Sequence, residues 1–253
     1  MSNFFAIPIT DEWGTTYQLT TAGYTALVVL MLALLLLACF IGNSVKQPKF
    51  SARQLAFSAM AIAAAFVTSE IKLFHLPFGG SITLFSMLFL VLIGYWYGLR
   101  AGLMTAIAYG FLQLVSDPYI ISIPQMLVDY IFAFGALGLS GLFSKSKNGL
   151  VKGYIVGVLG RYVMHMISGL IFYTAYTGDF AGNAAAIWAS TLYNMSYIFF
   201  GAYAADYGMS APVYSLVYNG IYLSVEAVLT LIILYLPPVK KVMGQLKTMA
   251  TQR

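Results

Sequence analysis

The stretch ALVVLMLALLLLACFIG, residues 26–42, contains no charged residue and no proline, and its reading decides the fold. Extended back to residue 20, it reaches the roughly 20 apolar residues that a helix needs to cross a hydrocarbon core. The remaining chain repeats the theme. Of 253 residues, 60% are hydrophobic and only 8% charged, with a mean hydropathy of +0.83. A soluble domain draws roughly 25% of its residues from Asp, Glu, Lys and Arg, so too few charges are present here to cover a water-facing surface. The composition therefore predicts an all-α integral membrane protein.

Working outward, seven apolar segments of spanning length fall near 20–42, 54–70, 82–98, 101–115, 125–143, 153–175 and 211–236. No basic region precedes the first and no small-residue cleavage site follows it, so it reads as an anchor helix rather than a signal peptide. Lys46, Lys49, Arg53, Arg100, Lys145, Lys147, Lys152, Lys240, Lys241, Lys247 and Arg253 then fall on one side of the membrane. They are eleven of the thirteen basic residues. The positive-inside rule makes that side cytoplasmic and places the N-terminus outside. Residues 184–205 are apolar enough for a further span, but an eighth span would put the basic C-terminus outside. They read as an interfacial or re-entrant external element, with the eighth span as the other arrangement.

Several functions are excluded at once. Seven spans leave no length for a soluble ATPase domain, and no GxxxxGK[ST] phosphate loop is present. The single Cys39 and the two histidines, His75 and His165, supply neither a disulfide framework nor a metal cluster, so no metal and no cofactor are expected. An intramembrane metalloprotease wants an HExxH pair on one helix, which histidines 90 residues apart do not give. The net charge of +5 is accounted for by loop topology rather than by nucleic-acid binding.

Ionisable groups at membrane depth are costly and each needs a reason. Asp129 lies in QMLVDYIFAF, His165 in RYVMHMISGLIFY and Glu226 in YLSVEAVLTLII. Each can serve as a hydrogen-bonded tie between helices; together, among many aromatic residues, they point to a ligand site. His165, Gly169 and Tyr173 stand at i, i+4 and i+8, on one helix face. Gly169 clears room there for a flat group between an imidazole and a phenol. Tyr130 follows Asp129, while Tyr214, Tyr218 and Asn219 open the last span. One carboxylate among electron-rich rings suits a flat, cationic, nitrogen-containing molecule, and Asn219 offers both donor and acceptor to a heterocycle edge. Small residues also recur, as Ala56, Ala59 and Ala63 and as Gly135, Gly138 and Gly141. That spacing serves close packing within the bundle or docking of a membrane partner.

The stretches GGSITLFSM (79–87), YGLRAGLMTAIAYGFLQLV (97–115), QMLVDYIFAFGALGLSGLF (125–143), GRYVMHMISGLIFYTAY (160–176) and YGMSAPVYSLVYNG (207–220) resemble the thiamine-specific substrate-binding components of energy-coupling factor (ECF) importers. That family is also called the proton-coupled thiamine transporters. The resemblance implies a six-helix bundle in residues 51–240, to which this chain adds an N-terminal extension (1–50) with an extra helix, an external insertion (about 177–206) and a cytoplasmic tail (241–253). It implies Asp129, in place of a family glutamate, as the acidic ligand, with Tyr130, His165, Gly169, Tyr214 and Asn219 in the pocket. Tyr173 falls where relatives carry a stacking tryptophan, and keeps an aromatic face there. FSAMAIAAA (57–65) resembles the family's first helix, which implies Ala59 and Ala63 as contacts for a transmembrane coupling protein.

Two functions follow as expectations. In the first, the protein is a non-catalytic membrane subunit that captures thiamine outside and releases it inside, driven by that coupling protein and two ATPase subunits. In the second, it is a stand-alone carrier with Asp129 and Glu226 as proton-coupling groups. The insertion reads either as a lid over the pocket or as a plain loop elaboration.

Overall fold

The computed structural model of the protein describes residues 4–11, 14–23, 25, 26, 29, 50–75, 80–120, 122–172 and 211–252. Most of the expected first span (20–42), Tyr173 and the whole insertion with its 184–205 segment lie outside the described residues. Strands β1 (Ala6–Asp11) and β2 (Gly14–Leu19) pair antiparallel near the N-terminus. The bundle then runs α1 (Ala52–Ser69), hairpin β3 (Lys72–His75) and β4 (Ser81–Thr83), α2 (Ser86–Tyr97), α3 (Leu99–Ser116), α4 (Ile123–Phe143), α5 (Gly149–Phe172), α6 (Ala211–Tyr235) and α7 (Pro237–Thr251).

Five helices among the described residues, α1 and α3 to α6, are long and apolar enough to cross a membrane. α1 starts at a capping box, in which Ser51 accepts from the Gln54 amide and the Gln54 side chain accepts from the Ser51 amide. Its Ala61, Ala65 and Ser69, at four-residue spacing, are buried. Leu55, Met60 and Val67 on the outer face are more than half exposed, as suits a lipid-facing surface.

The expected span at 82–98 requires correction. Its helix has only 12 residues, about 18 Å against a core of roughly 30 Å. Strand β4 covers the remaining depth. Gly80 lies level with Tyr218 and Thr83 level with Glu226, eight residues or about 12 Å further along α6. Non-helical backbone at this depth is tolerated because its polar groups are paired within the protein. β3 pairs with β4, and Glu226 takes the amides that follow. The turn into α2 puts Phe85 at φ 64°, in the left-handed region, with no side-chain cap of its own.

α2 is the centre of the core. Leu90, Val91 and Ile93 are fully buried, packed among α1, α3, α4 and α5. The expected ambiguity over the glycine stripe resolves for two positions. A Cβ on Gly138 would strike the backbone of Gly102 and Leu103, and one on Gly141 the backbone of Gly98 and Leu99. Both therefore serve packing of α4 against α3. The cytoplasmic tail expected from 241 lies in α7, which begins at Pro237 and folds back against α1 and α2.

The helices alternate, so Arg53, Arg100, Lys145, Lys147, Lys152, Lys240, Lys241 and Lys247 gather at one end of the bundle. The opposite end holds Glu70, Lys72 and Asp117, with Lys72 Nζ 2.7 Å from Asp117 Oδ2.

Candidate functional site

A cavity of about 170 Å³ opens at the end away from the cationic cluster, between α3, α4, α5, α6 and the β3–β4 hairpin. Its floor is built where α4 changes helix type. Residues Leu127–Phe132 form a π-helical segment between an α-helical first turn, Ile123–Met126, and the α-helical Ala133–Leu137. The wider turn displaces Asp129 and Tyr130 from a regular ladder, a feature frequent at functional sites. Ser122 and Pro124 fix the entry, the serine accepting from the Gln125 amide.

Asp129 is held by three donors. His165 Nδ1 lies 2.9 Å from Oδ1, while Ser168 Oγ and Gln125 Nε2 donate to Oδ2 at 2.7 and 2.8 Å. The imidazole's other nitrogen accepts from Arg161 Nε at 3.1 Å. A guanidinium can only donate, so Nε2 carries a lone pair, the proton sits on Nδ1, and this network holds the ring neutral. The Arg161 guanidinium lies 4.2 Å from the centre of the Phe134 ring. The result is a chain from Arg161 through His165 to Asp129, spaced so that Arg161 and His165 stand one turn apart on α5.

The expected residues fall into four groups. Asp129, Tyr130, His165, Gly169 and Asn219 are brought together on the cavity wall. Tyr214 lies in the first turn of α6, and Tyr173 is outside the described residues. Ala59 and Ala63 are away from the cavity, on the outer face of α1. Asn219 uses its amide nitrogen internally, donating to Ser215 O at 2.9 Å and Ser215 Oγ at 3.2 Å, with His165 O at 3.4 Å. Its side-chain carbonyl keeps the capacity to accept. Tyr130 presents its ring, because its hydroxyl donates to Asp117 O at 2.9 Å and accepts from the Tyr119 amide at 2.7 Å.

Sequence reasoning missed Arg161, Gln125 and Ser168. The signal was present, since all three stand at helical spacing from His165 or Asp129. Glu226 also lines the cavity, 3% exposed, but its oxygens are taken. Thr83 Oγ1 donates at 2.7 Å, the Thr83 amide at 3.3 Å, Ser86 Oγ at 3.2 Å and the Met87 amide at 3.4 Å. It caps α2 from across the bundle. Tyr218, whose hydroxyl accepts from the Gly80 amide at 2.9 Å, makes a second tie to the hairpin.

The cavity's charged lining is Lys72, Arg161, Asp117, Asp129 and Glu226. Lys72 pairs with Asp117, which leaves Arg161 beside the carboxyl groups of Asp129 and Glu226. The walls are aromatic, with Tyr109, Tyr130, Phe134, Tyr218 and Tyr222 contributing. Among the described residues, no group of His, Cys, Asp and Glu could hold a metal ion.

Among the described residues, a helical membrane bundle encloses a polar cavity, an arrangement that suits a multi-pass small-molecule transport protein. The family model described as Thiamine transporter protein (Thia_YuaJ) matches residues 55–198 and 196–245. The thiamine transporter ThiT of Bacillus subtilis is 33% identical over 168 residues, covering 60% of this chain and 85% of that protein. A solved structure of ThiT from Listeria monocytogenes superposes with a TM-score of 0.51 at 24% identity, over 73% of this chain and 94% of that one, a likeness of fold. The chain belongs to the thiamine transporter family, whose members are transporters rather than enzymes.

Proposed function

We propose that this protein captures thiamine in the cavity between α3, α4, α5, α6 and the hairpin, as the substrate-binding subunit of an ECF-type importer. The observation that carries the reading is the Asp129 carboxylate, held by three donors within aromatic walls. Thiamine brings one fixed positive charge on its thiazolium ring and a flat aminopyrimidine. The first balances the Asp129 carboxylate and the second offers edges for hydrogen bonding. In this reading Asp129 and His165 set the polar edge, the Asn219 carbonyl accepts from the exocyclic amine, Gly169 leaves room for the ring and Tyr130 supplies a wall, while Tyr173 and Tyr214 are assigned to the pocket by the family resemblance alone.

The cation-rich end faces the cytoplasm by the positive-inside rule, so the cavity opens outward. Capture occurs outside. Release inside is driven by a transmembrane coupling protein and two ATPase subunits, the coupling protein seated on the α1 face that carries Ala59 and Ala63. The alternative is a stand-alone proton carrier with Asp129 and Glu226 as its coupling groups, and the vesicle measurement below separates the two.

The test is a titration of purified protein with thiamine, followed by quenching of intrinsic Trp and Tyr fluorescence, with riboflavin and biotin as competitors. Saturable binding that riboflavin and biotin leave intact, and that is weakened in His165→Ala and Asn219→Ala, is the expected result. Absence of thiamine binding, with another heterocycle bound instead, would overturn the substrate assignment. Uptake into vesicles that needs only a proton gradient would overturn the coupling scheme.

A further inference from the structure

α7 divides its surface three ways. Val239, Met243, Leu246 and Ala250, at i, i+4, i+7 and i+11, face the bundle, with Ala250 only 2% exposed. Three polar ties pin that side. Tyr97 donates its hydroxyl to Ala250 O at 2.9 Å, Lys247 Nζ donates to the Tyr95 hydroxyl at 2.9 Å, and the Arg53 guanidinium donates to Gln252 O. On one flank Val242 and Met249, two turns apart, are 47% and 52% exposed. Gln245 stands between them on the same flank, while Lys240, Lys241 and Thr248 are exposed and polar on the remaining arc.

The chain leaves the spanning helix α6 at Tyr235, turns through Leu236, and enters α7 at Pro237 and Pro238. Tyr235 and Leu236 are 57% and 45% exposed, and Lys240 Nζ lies 4.8 Å from the centre of the Tyr235 ring. That aromatic and its lysine mark the depth of the bilayer interface. A helix starting there, with one apolar flank uncovered and a cationic back, has the geometry of an interfacial amphipathic helix.

We infer that α7 lies in the bilayer interface, with Val242 and Met249 dipped into the acyl boundary and Lys240 and Lys241 on the headgroups of anionic phospholipids. Charge complementarity commits the site to that occupant. The same end of the bundle carries Arg53, Lys145, Lys147 and Lys152 as exposed cations, so the surface presents one sign of charge beside the helix. Through its ties to Arg53, Tyr95 and Tyr97, the helix braces the first turn of α1 and the last turn of α2. Anionic lipid thereby stiffens the end of the molecule opposite the cavity.

The test uses the full chain in nanodiscs of phosphatidylcholine alone or mixed with phosphatidylglycerol, in a Cys39→Ser background. A bimane label at Val242→Cys is quenched by lipids brominated on the acyl chain, whereas the same label at Thr248→Cys is not. Amides 239–250 exchange more slowly in the phosphatidylglycerol discs, by roughly 30-fold for two lysines at an anionic surface. The double variant Lys240→Glu/Lys241→Glu loses that lipid dependence, and Lys240→Gln/Lys241→Gln repeats the measurement should the charge reversal misfold. Equal quenching at 242 and 248, or equal exchange in the two lipids, overturns the inference. So does a double variant that still responds to phosphatidylglycerol, which would assign the face to another occupant.

Discussion

Asp129 shows how one residue's surroundings set its chemistry. Its carboxylate is held in place by His165, Ser168 and Gln125, so it presents a preorganised anion rather than a mobile one. Asp129→Asn keeps the size of the side chain but removes the charge and turns an NH2 toward groups that already donate. Thiamine affinity is expected to fall tenfold or more, about 1.4 kcal/mol, in the same fluorescence titration, and an unchanged Kd would remove Asp129 from its charge-balancing role. Tyr130→Phe loses only a hydroxyl committed to Asp117 and Tyr119 and should weaken binding less. At this scale much was legible. Asp129, His165 and Asn219 stand out in the sequence because polar groups are rare in apolar helices. Arg161 was not singled out, because a lone arginine in a helix reads as topology until its partner one turn away is considered.

Among the elements, α2 with its hairpin departs furthest from what the sequence predicts. Residues 82–98 form one apolar run, ITLFSMLFLVLIGYWYG, and local hydrophobicity gives no reason to break it. The break is imposed from 140 residues away, because Glu226 on α6 rewards an extended segment that turns its amides and hydroxyls toward one carboxylate. Long helices with a lipid face were legible from composition, whereas a strand at membrane depth depends on a tertiary partner. The π-segment around Asp129 was equally hidden, since no residue there signals a wider turn. Glu226→Gln tests this account. It keeps the volume but sets an NH2 against the donors of Thr83, Ser86 and Met87. A loss of about 1–3 kcal/mol is expected for buried donors left unpaired, read as a lowered Tm in detergent and as faster amide exchange at 83–88. An unchanged Tm would mean that the hairpin and the start of α2 hold without this tie.

Considered whole, the molecule is polarised along its axis. One end collects eight described cations, all of them on helix ends, turns and α7. The other end holds the cavity and a Lys72–Asp117 ion pair that cancels its own charge. Loop cations resist translocation, and the proposed orientation rests on this asymmetry. An importer needs that orientation, since its cavity must meet the substrate on the outer side. The orientation is open to direct measurement. In a Cys39→Ser background, Ser116→Cys at the exposed cavity end of α3 and Ser146→Cys in the exposed turn after α4 report on opposite faces. A membrane-impermeant maleimide added to intact cells is expected to label position 116 and to reach position 146 only after the cells are permeabilised. The reverse pattern would turn the cavity toward the cytoplasm, and the protein would then have to bind its ligand as an exporter does.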